Sequence, residues 1–138
     1  MDWDSKFGRK VKRLIKRNYV IWFTTVDANL TPQPRPVWFI REGDSFLLFS
    51  KPNARKVRHL LERPGVSLHF NTDATGDRDV VVLIGTAAID ESLPPAHQIP
   101  AYLRKYRSGI KDLEMTAEEF SQAYSVAIRV TPTSMRGW

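Results

Sequence analysis

Phe7, Val11, Leu14 and Ile15 recur three and four residues apart near the start of the chain, and lysines and arginines fill the positions between them. That period puts the apolar residues on one face and predicts an amphipathic helix over residues 4–17, packed on the rest of the chain, with Asp2, Asp4 and Ser5 available to cap it. The pattern then changes to that of a strand. "YVIWFTTVD" is rich in aromatic and β-branched residues, so residues 20–26 read as a strand that ends at the turn "DANL". Prolines at 32, 34 and 36 donate no ladder hydrogen bonds, which predicts an extended edge and a fully paired strand only from Val37 to Arg41. "EGD" turns the chain into "SFLLFS" and makes a hairpin.

A second helix follows, with Ala54, Val57, Leu60 and Leu61 on its apolar face and a stop at "RPG". "VSLHFN" alternates Val66, Leu68 and Phe70 with Ser67, His69 and Asn71, as a strand with one buried face does. A long apolar strand spans residues 79–90, and Gly85 in its middle predicts a bulge or a close backbone approach. Two helices are predicted over residues 96–106 and 116–122, the latter opened by the capping box "TAEE". A last strand, "YSVAIRV", leads into the tail "TPTSMRGW". Six strands with short turns and one early crossover helix predict a mainly β (α+β) fold, an antiparallel barrel with helices at its ends. Strands one to three follow one another without helices, which argues against a doubly wound parallel sheet.

The length of 138 residues suits one domain covering residues 1–138, and 42% hydrophobic with 26% charged residues is ordinary for a globular protein. The longest apolar run, Val80 to Ile89, is about half a membrane span, and the N-terminus has no signal-like apolar run, so the chain reads as cytoplasmic. The absence of cysteine removes disulfides, thiolate nucleophiles and cysteine-based metal centres, and His59, His69 and His97 lie far apart without metal-ligand spacing. Chemistry in this protein therefore needs a borrowed cofactor. Net charge is +6, and seven of the twelve residues from 6 to 17 are cations. They surround most of their helix, the arrangement of a solvated face; the alternatives are a non-enzymatic module that binds nucleic acid through this helix, contact with an anionic membrane surface, and attraction of a polyanionic cofactor, with nucleic acid the less favoured.

The stretch "FSKPNARKVRHL" poses a problem of sign. A helix start carries a partial positive charge and normally attracts Asp or Glu, yet Lys51, Arg55 and Lys56 stand here with no acid before Glu62. Unpaired helix N–H groups, lysine, arginine and the Ser50 hydroxyl together make a phosphate site. A solvated surface is the competing reading, and the like-charge crowding costs only about 1 kcal/mol or less at an exposed helix end, so physics alone leaves the two level.

The order "SFLLFS", "KPNARKVRHLLERPGVSLHFN", "VVVLIGTAAI" resembles the split-barrel flavin-binding family that includes pyridoxamine 5'-phosphate oxidase, over roughly residues 12–131. The resemblance implies an FMN-binding type of split β-barrel and a cofactor phosphate held by Ser50, Arg55 and Lys56, with Lys51 helping. It implies flavin-ring contacts from Pro36, Val37 and Trp38, a homodimer with cofactors at the interface, and closure over the ring by Arg136 and Trp138 of the other subunit. His69 and Asn71 share a polar strand face that points to the partner's cofactor or to solvent, with solvent favoured. Where the oxidases place a glutamine against the flavin this chain has Val80, and their C-terminal substrate motif is replaced by "SMRGW", so pyridoxamine phosphate oxidation is not implied. The chain is more similar to a short subgroup that uses the deazaflavin coenzyme F-420. The activity implied is an oxidoreductase passing a hydride from bound deazaflavin to a small electron-poor substrate, with a flavin mononucleotide (FMN) reductase or oxidase as the alternative. No side chain stands out as a catalytic acid.

Overall fold

The computed structural model describes residues 1–138, and its architecture turns on one residue, Phe39. After helix α1 (Lys6–Arg17), strands β1 (Val20–Val26) and β2 (Pro32–Trp38) form an antiparallel pair; β3 (Ile40–Glu42) and β4 (Ser45–Ser50) form the next. Helix α2 (Arg55–Glu62) crosses to β5 (Gly65–His69) and β6 (Val81–Ile89). A 3-10 turn at Ala96–Gln98, helices α3 (Pro100–Asp112) and α4 (Ala117–Ala123), and strand β7 (Val126–Gly137) complete the chain. The sheet order is β2-β1-β5-β6-β7-β4-β3. Strands β2 and β3 thus lie at opposite edges of the sheet although only Phe39 separates them. The sheet must curl until its edges meet, which makes the fold an antiparallel split barrel with peripheral helices.

The expected six strands are seven because the segment expected to pair through Val37–Arg41 is interrupted at Phe39. The Tyr106 hydroxyl accepts the Phe39 N–H at 2.6 Å and lies 2.7 Å from the Phe39 carbonyl and 2.9 Å from that of Tyr19. It takes the place of a ladder partner. Contrary to expectation, the proline segment is paired along its whole length, Pro32 opposite Val26 through Trp38 opposite Val20. Alternate residues of a strand direct their N–H groups to opposite sides, so prolines two apart all turn their missing donors to the outer edge.

Two apolar clusters follow from the alternation. Phe23, Phe39, Phe46, Leu48, Leu68 and Ile128 fill the barrel, with Val11, Leu14 and Ile15 of α1 closing one end. Leu47 and Ile40 point the other way and meet Tyr102, Tyr106, Ile110 and Phe120 of α3 and α4. This two-sided burial explains the unbroken apolar run of β4. Gly85 sits at the expected bulge, a register shift between Ile84 and Gly85, where a Cβ would run into the Thr131 carbonyl. No helix is long and apolar enough to cross a membrane.

Other expectations are corrected. The helix assigned to residues 96–106 starts at Pro100 and runs to Asp112, because proline suits a first helical position but not an interior one. The "tail" is ladder, with Met135, Arg136 and Gly137 paired to Leu83, Val82 and Val81. Leu61, placed on the apolar face of α2, is 65% exposed; Val57 and Leu60 alone are buried there. The capping box of Thr116 and Glu119 is present.

Candidate functional site

The connection from β4 to α2 is short because the chain turns at once: the Ala54 N–H reaches the Lys51 carbonyl at 3.2 Å. Ala54 occupies the cap position of α2 in an extended conformation and has no side-chain oxygen to offer; the first turn holds no acid. The Arg55 and Lys56 amides, first in the helix, have no hydrogen-bond partner within the chain. None of Lys51, Arg55 and Lys56 pairs with a carboxylate. Positive charge is therefore concentrated at the start of α2 and nothing in the chain compensates it.

Beside this helix start lies a cavity of about 360 Å³ lined by Pro36, Val37 and Trp38 of β2, by Phe49 and Lys56, and by Tyr102, Phe120 and Tyr124 of the helical layer. Eight of its ten lining residues are hydrophobic, so it suits a planar apolar body whose polar end reaches the lysine. Trp38 stacks on Tyr106 at 4.7 Å and 8°, and on Phe120 at 5.5 Å and 23°; it is at once cavity wall and packing residue. The Lys51 ammonium lies 5.6 Å from the Tyr124 ring centroid, at the wall of the same cavity. Lys56 is half-buried, and desolvation, followed by the nearby Arg35 guanidinium, pulls its pKa below that of an ordinary lysine.

Of the residues expected to hold a cofactor, the structure thus places Pro36, Val37, Trp38 and Lys56 on the cavity wall, with the exposed Lys51 outside it beside Tyr124. Ser50 is fully buried at the end of β4 and its hydroxyl donates to the Lys51 carbonyl at 3.0 Å. Arg55 is exposed at the helix start and does not line the cavity. Arg136 and Trp138 do not line it either; they end the β6–β7 ladder, where Trp138 exchanges two backbone hydrogen bonds with Val80 while its side chain stays exposed. His69 stacks against Trp22 at 6.0 Å and 5°, and the Trp22 indole donates to the Asn71 side chain, so this polar face is tied to itself.

Sequence reasoning passed over Arg35. It shares a face with Gln33 and Val37, and a period-two reading of "PQPRPV" identifies it as inward-turned. Arg35 donates to the Thr25 hydroxyl at 3.0 Å, and that hydroxyl contacts His59 Nδ1 at 2.9 Å. Burial, then the Arg35 charge, lowers the His59 pKa and so disfavours its charged form, and Arg35 stands as a further cation without a carboxylate beside Lys56. The aromatic residues of α3 and α4 gave no comparable signal, because their spacing shows a buried face and not what that face meets.

Several solved structures share the fold. A conserved hypothetical protein from Mycobacterium tuberculosis superposes with a TM-score of 0.76 at 17% identity, covering 94% of this chain and 82% of the other. An F-420 reductase gives 0.61 at 20% identity, with 91% and 94% covered. A heme-storage protein from Vibrio cholerae gives 0.65 at 17% identity, with 93% and 92% covered. These likenesses establish the fold alone. Among curated proteins none matches the chain. The family model described as pyridoxamine 5'-phosphate oxidase matches residues 7–138, so this split barrel, with an apolar cavity beside a cationic helix start, belongs to the pyridoxamine 5'-phosphate oxidase-like family of flavin-binding folds.

Proposed function

We propose that the protein is an oxidoreductase that binds a phosphate-bearing tricyclic cofactor, the deazaflavin coenzyme F-420 in preference to FMN. The observation that carries the reading is the pairing of uncompensated cations and two free amides at the start of α2 with an aromatic-lined cavity into which Lys56 reaches. The residues suit such a cofactor. Arg55, Lys56 and Lys51 hold the phosphate by charge-assisted hydrogen bonds, and the free amides add donors aligned with the helix dipole. Ser50 contributes its hydroxyl once it turns from the Lys51 carbonyl. Pro36, Val37 and Trp38 hold the ring edge, and Phe49, Tyr102 and Phe120 exclude water from one side of it. When bound, such a cofactor supplies hydride transfer to an electron-poor substrate; the protein supplies orientation and electrostatics.

The deazaflavin preference rests on the subgroup resemblance and is supported by the F-420 reductase among the structural relatives. The chain acts as a homodimer in this reading. A firmly paired chain end that exposes Trp138 by 66% suits contact with the partner's cofactor, as does Arg136 two residues earlier. Titration of one preparation with FMN and with the deazaflavin, followed by absorbance and fluorescence, tests the cofactor choice. Tighter binding of the deazaflavin is expected; tight FMN binding without measurable deazaflavin affinity would reverse it, and heme uptake without either would sink the oxidoreductase reading. Light scattering of the same preparation is expected to give twice the chain mass.

A further inference from the structure

A second cationic site lies on the other side of α3. A cleft of about 650 Å³ runs between α1, β3 and α3, and six cations line it: Arg9, Lys12, Arg13 and Lys16 on one wall, Arg41 and Lys105 on the other. No acidic residue lines it. The four residues of α1 stand at i, i+3, i+4 and i+7, so they form one stripe about 10 Å long at 1.5 Å per residue. The N-terminal cations therefore do not merely encircle their helix. They divide: Lys10 and Arg17 approach Asp79 at 3.9 and 3.7 Å and Lys12 pairs with the exposed Asp4 at 3.0 Å, whereas Arg9, Arg13, Lys16, Arg41 and Lys105 have no carboxylate partner.

The far wall is fixed before any ligand arrives. The Arg41 guanidinium lies 4.2 Å from the ring centroid of the buried Trp3, and its Nε is buried without a hydrogen-bond partner. The Lys105 ammonium lies 3.6 Å over the Phe39 ring and donates to the Phe39 carbonyl at 3.1 Å, which leaves two of its protons free. Burial lowers its pKa to about 8, the mark of a cation that lacks a counter-charge. Each cation is held by a ring that no ligand has to order.

We infer that this cleft binds a compact linear polyphosphate, a compound with three or more phosphates in anhydride linkage, at a site separate from that of the cofactor. Guanidinium forks on both walls match the paired oxygens of phosphate, as they match those of carboxylate, and the density of cations decides for phosphate, which packs more negative charge into a given length. Four cations along about 10 Å of α1, faced by Arg41 and Lys105, with only Lys12 paired to a carboxylate, suit closely spaced negative charges better than a single phosphate does. A nucleic-acid strand is the poorer fit, since it binds by stacking bases on aromatic platforms, and the remaining walls are Ile15, Ile40 and Ala101.

Inorganic tripolyphosphate is the probe, titrated calorimetrically against the full chain beside orthophosphate and a single-stranded oligonucleotide of the same charge concentration. Tripolyphosphate is expected to bind once per chain, at least tenfold more tightly than either. Arg13 and Lys16 are exposed, so Arg13→Gln with Lys16→Gln leaves the fold intact and is expected to lower that affinity at least tenfold without changing flavin affinity. Arg55→Ala with Lys56→Ala is expected to leave tripolyphosphate binding unchanged. Absence of binding at low salt, tighter binding of the oligonucleotide, or loss of binding in the α2 variant alone would each overturn the assignment. Because the two double variants act on different ligands, its failure is distinguishable from failure of the cofactor reading.

Discussion

The two basic helices, α1 and α2, begin in opposite ways. Ser5 caps α1 by accepting the Gly8 N–H at 2.9 Å, Asp2 and Asp4 precede it, and its last turn carries Lys16 and Arg17, where the helix dipole welcomes positive charge. Helix α2 has alanine at the cap, no acid in its first turn, and Arg55 and Lys56 where the dipole repels them. Lysine and arginine are abundant in both, so composition does not distinguish the helices. Position relative to the helix end does. In α1 the local arrangement already stabilises the helix, and the cations can be spared for a neighbouring cleft or for Asp79. In α2 the cap and the first-turn charges are set against the helix, and its free amides and cations have no partner in the chain.

The contrast makes four predictions of decreasing size. Arg55→Ala with Lys56→Ala should weaken cofactor binding by about 2 to 4 kcal/mol, or roughly 30- to 1,000-fold in Kd by titration, with little change in stability. An unchanged Kd would return these residues to a solvated surface. Tyr106→Phe touches neither helix's charge and serves as a control on the scaffold. It leaves the buried Phe39 N–H unsatisfied and should lower stability by about 1 to 3 kcal/mol in denaturant unfolding, while disturbing Trp38 in the cavity wall. Ala54→Ser supplies the cap that α2 lacks. Stability should rise by about 1 kcal/mol while cofactor affinity falls, because the serine oxygen competes for an amide that would otherwise face the phosphate. A variant that gains both would show that α2 is merely a poor helix. Last, Asp79→Asn removes the counter-charge of Lys10 and Arg17; Asp79 has a φ of 60°, a conformation asparagine tolerates. Stability should change by less than about 1 kcal/mol, less still at high salt, with cofactor affinity unaffected.

Much of this was legible in the order of residues. Val20–Val26, the Gly85 bulge and the Thr116 capping box stand where local chemistry put them, because each depends on neighbours within a few positions. The α2 anomaly was legible for the same reason: a helix start is a local object, and charge of the wrong sign is visible without a fold. The break at Phe39 was not legible. Nothing near "PVWFIR" signals it; the cause is a hydroxyl 67 positions away, on a helix that starts at Pro100 and not at Ala96. Residues 131–137 read as a tail because short polar segments carry weak strand signals, and only pairing with Val81–Thr86 gives their backbone groups partners.

The sequence by itself determined the strand and helix alphabet, the mainly β class, and the cationic start of α2, since these rest on periods and end effects within about one helical turn or one hairpin. The tertiary structure alone decided which wall faces that start. Trp38, Tyr102, Phe120 and Lys56 come from four separate elements, and they meet only because the sheet curls at Phe39 and the helical layer covers its outer face. It likewise decided which cations are spent on Asp79 and which line the cleft beside α3, because screening and pairing depend on distances through space that the order of residues does not contain.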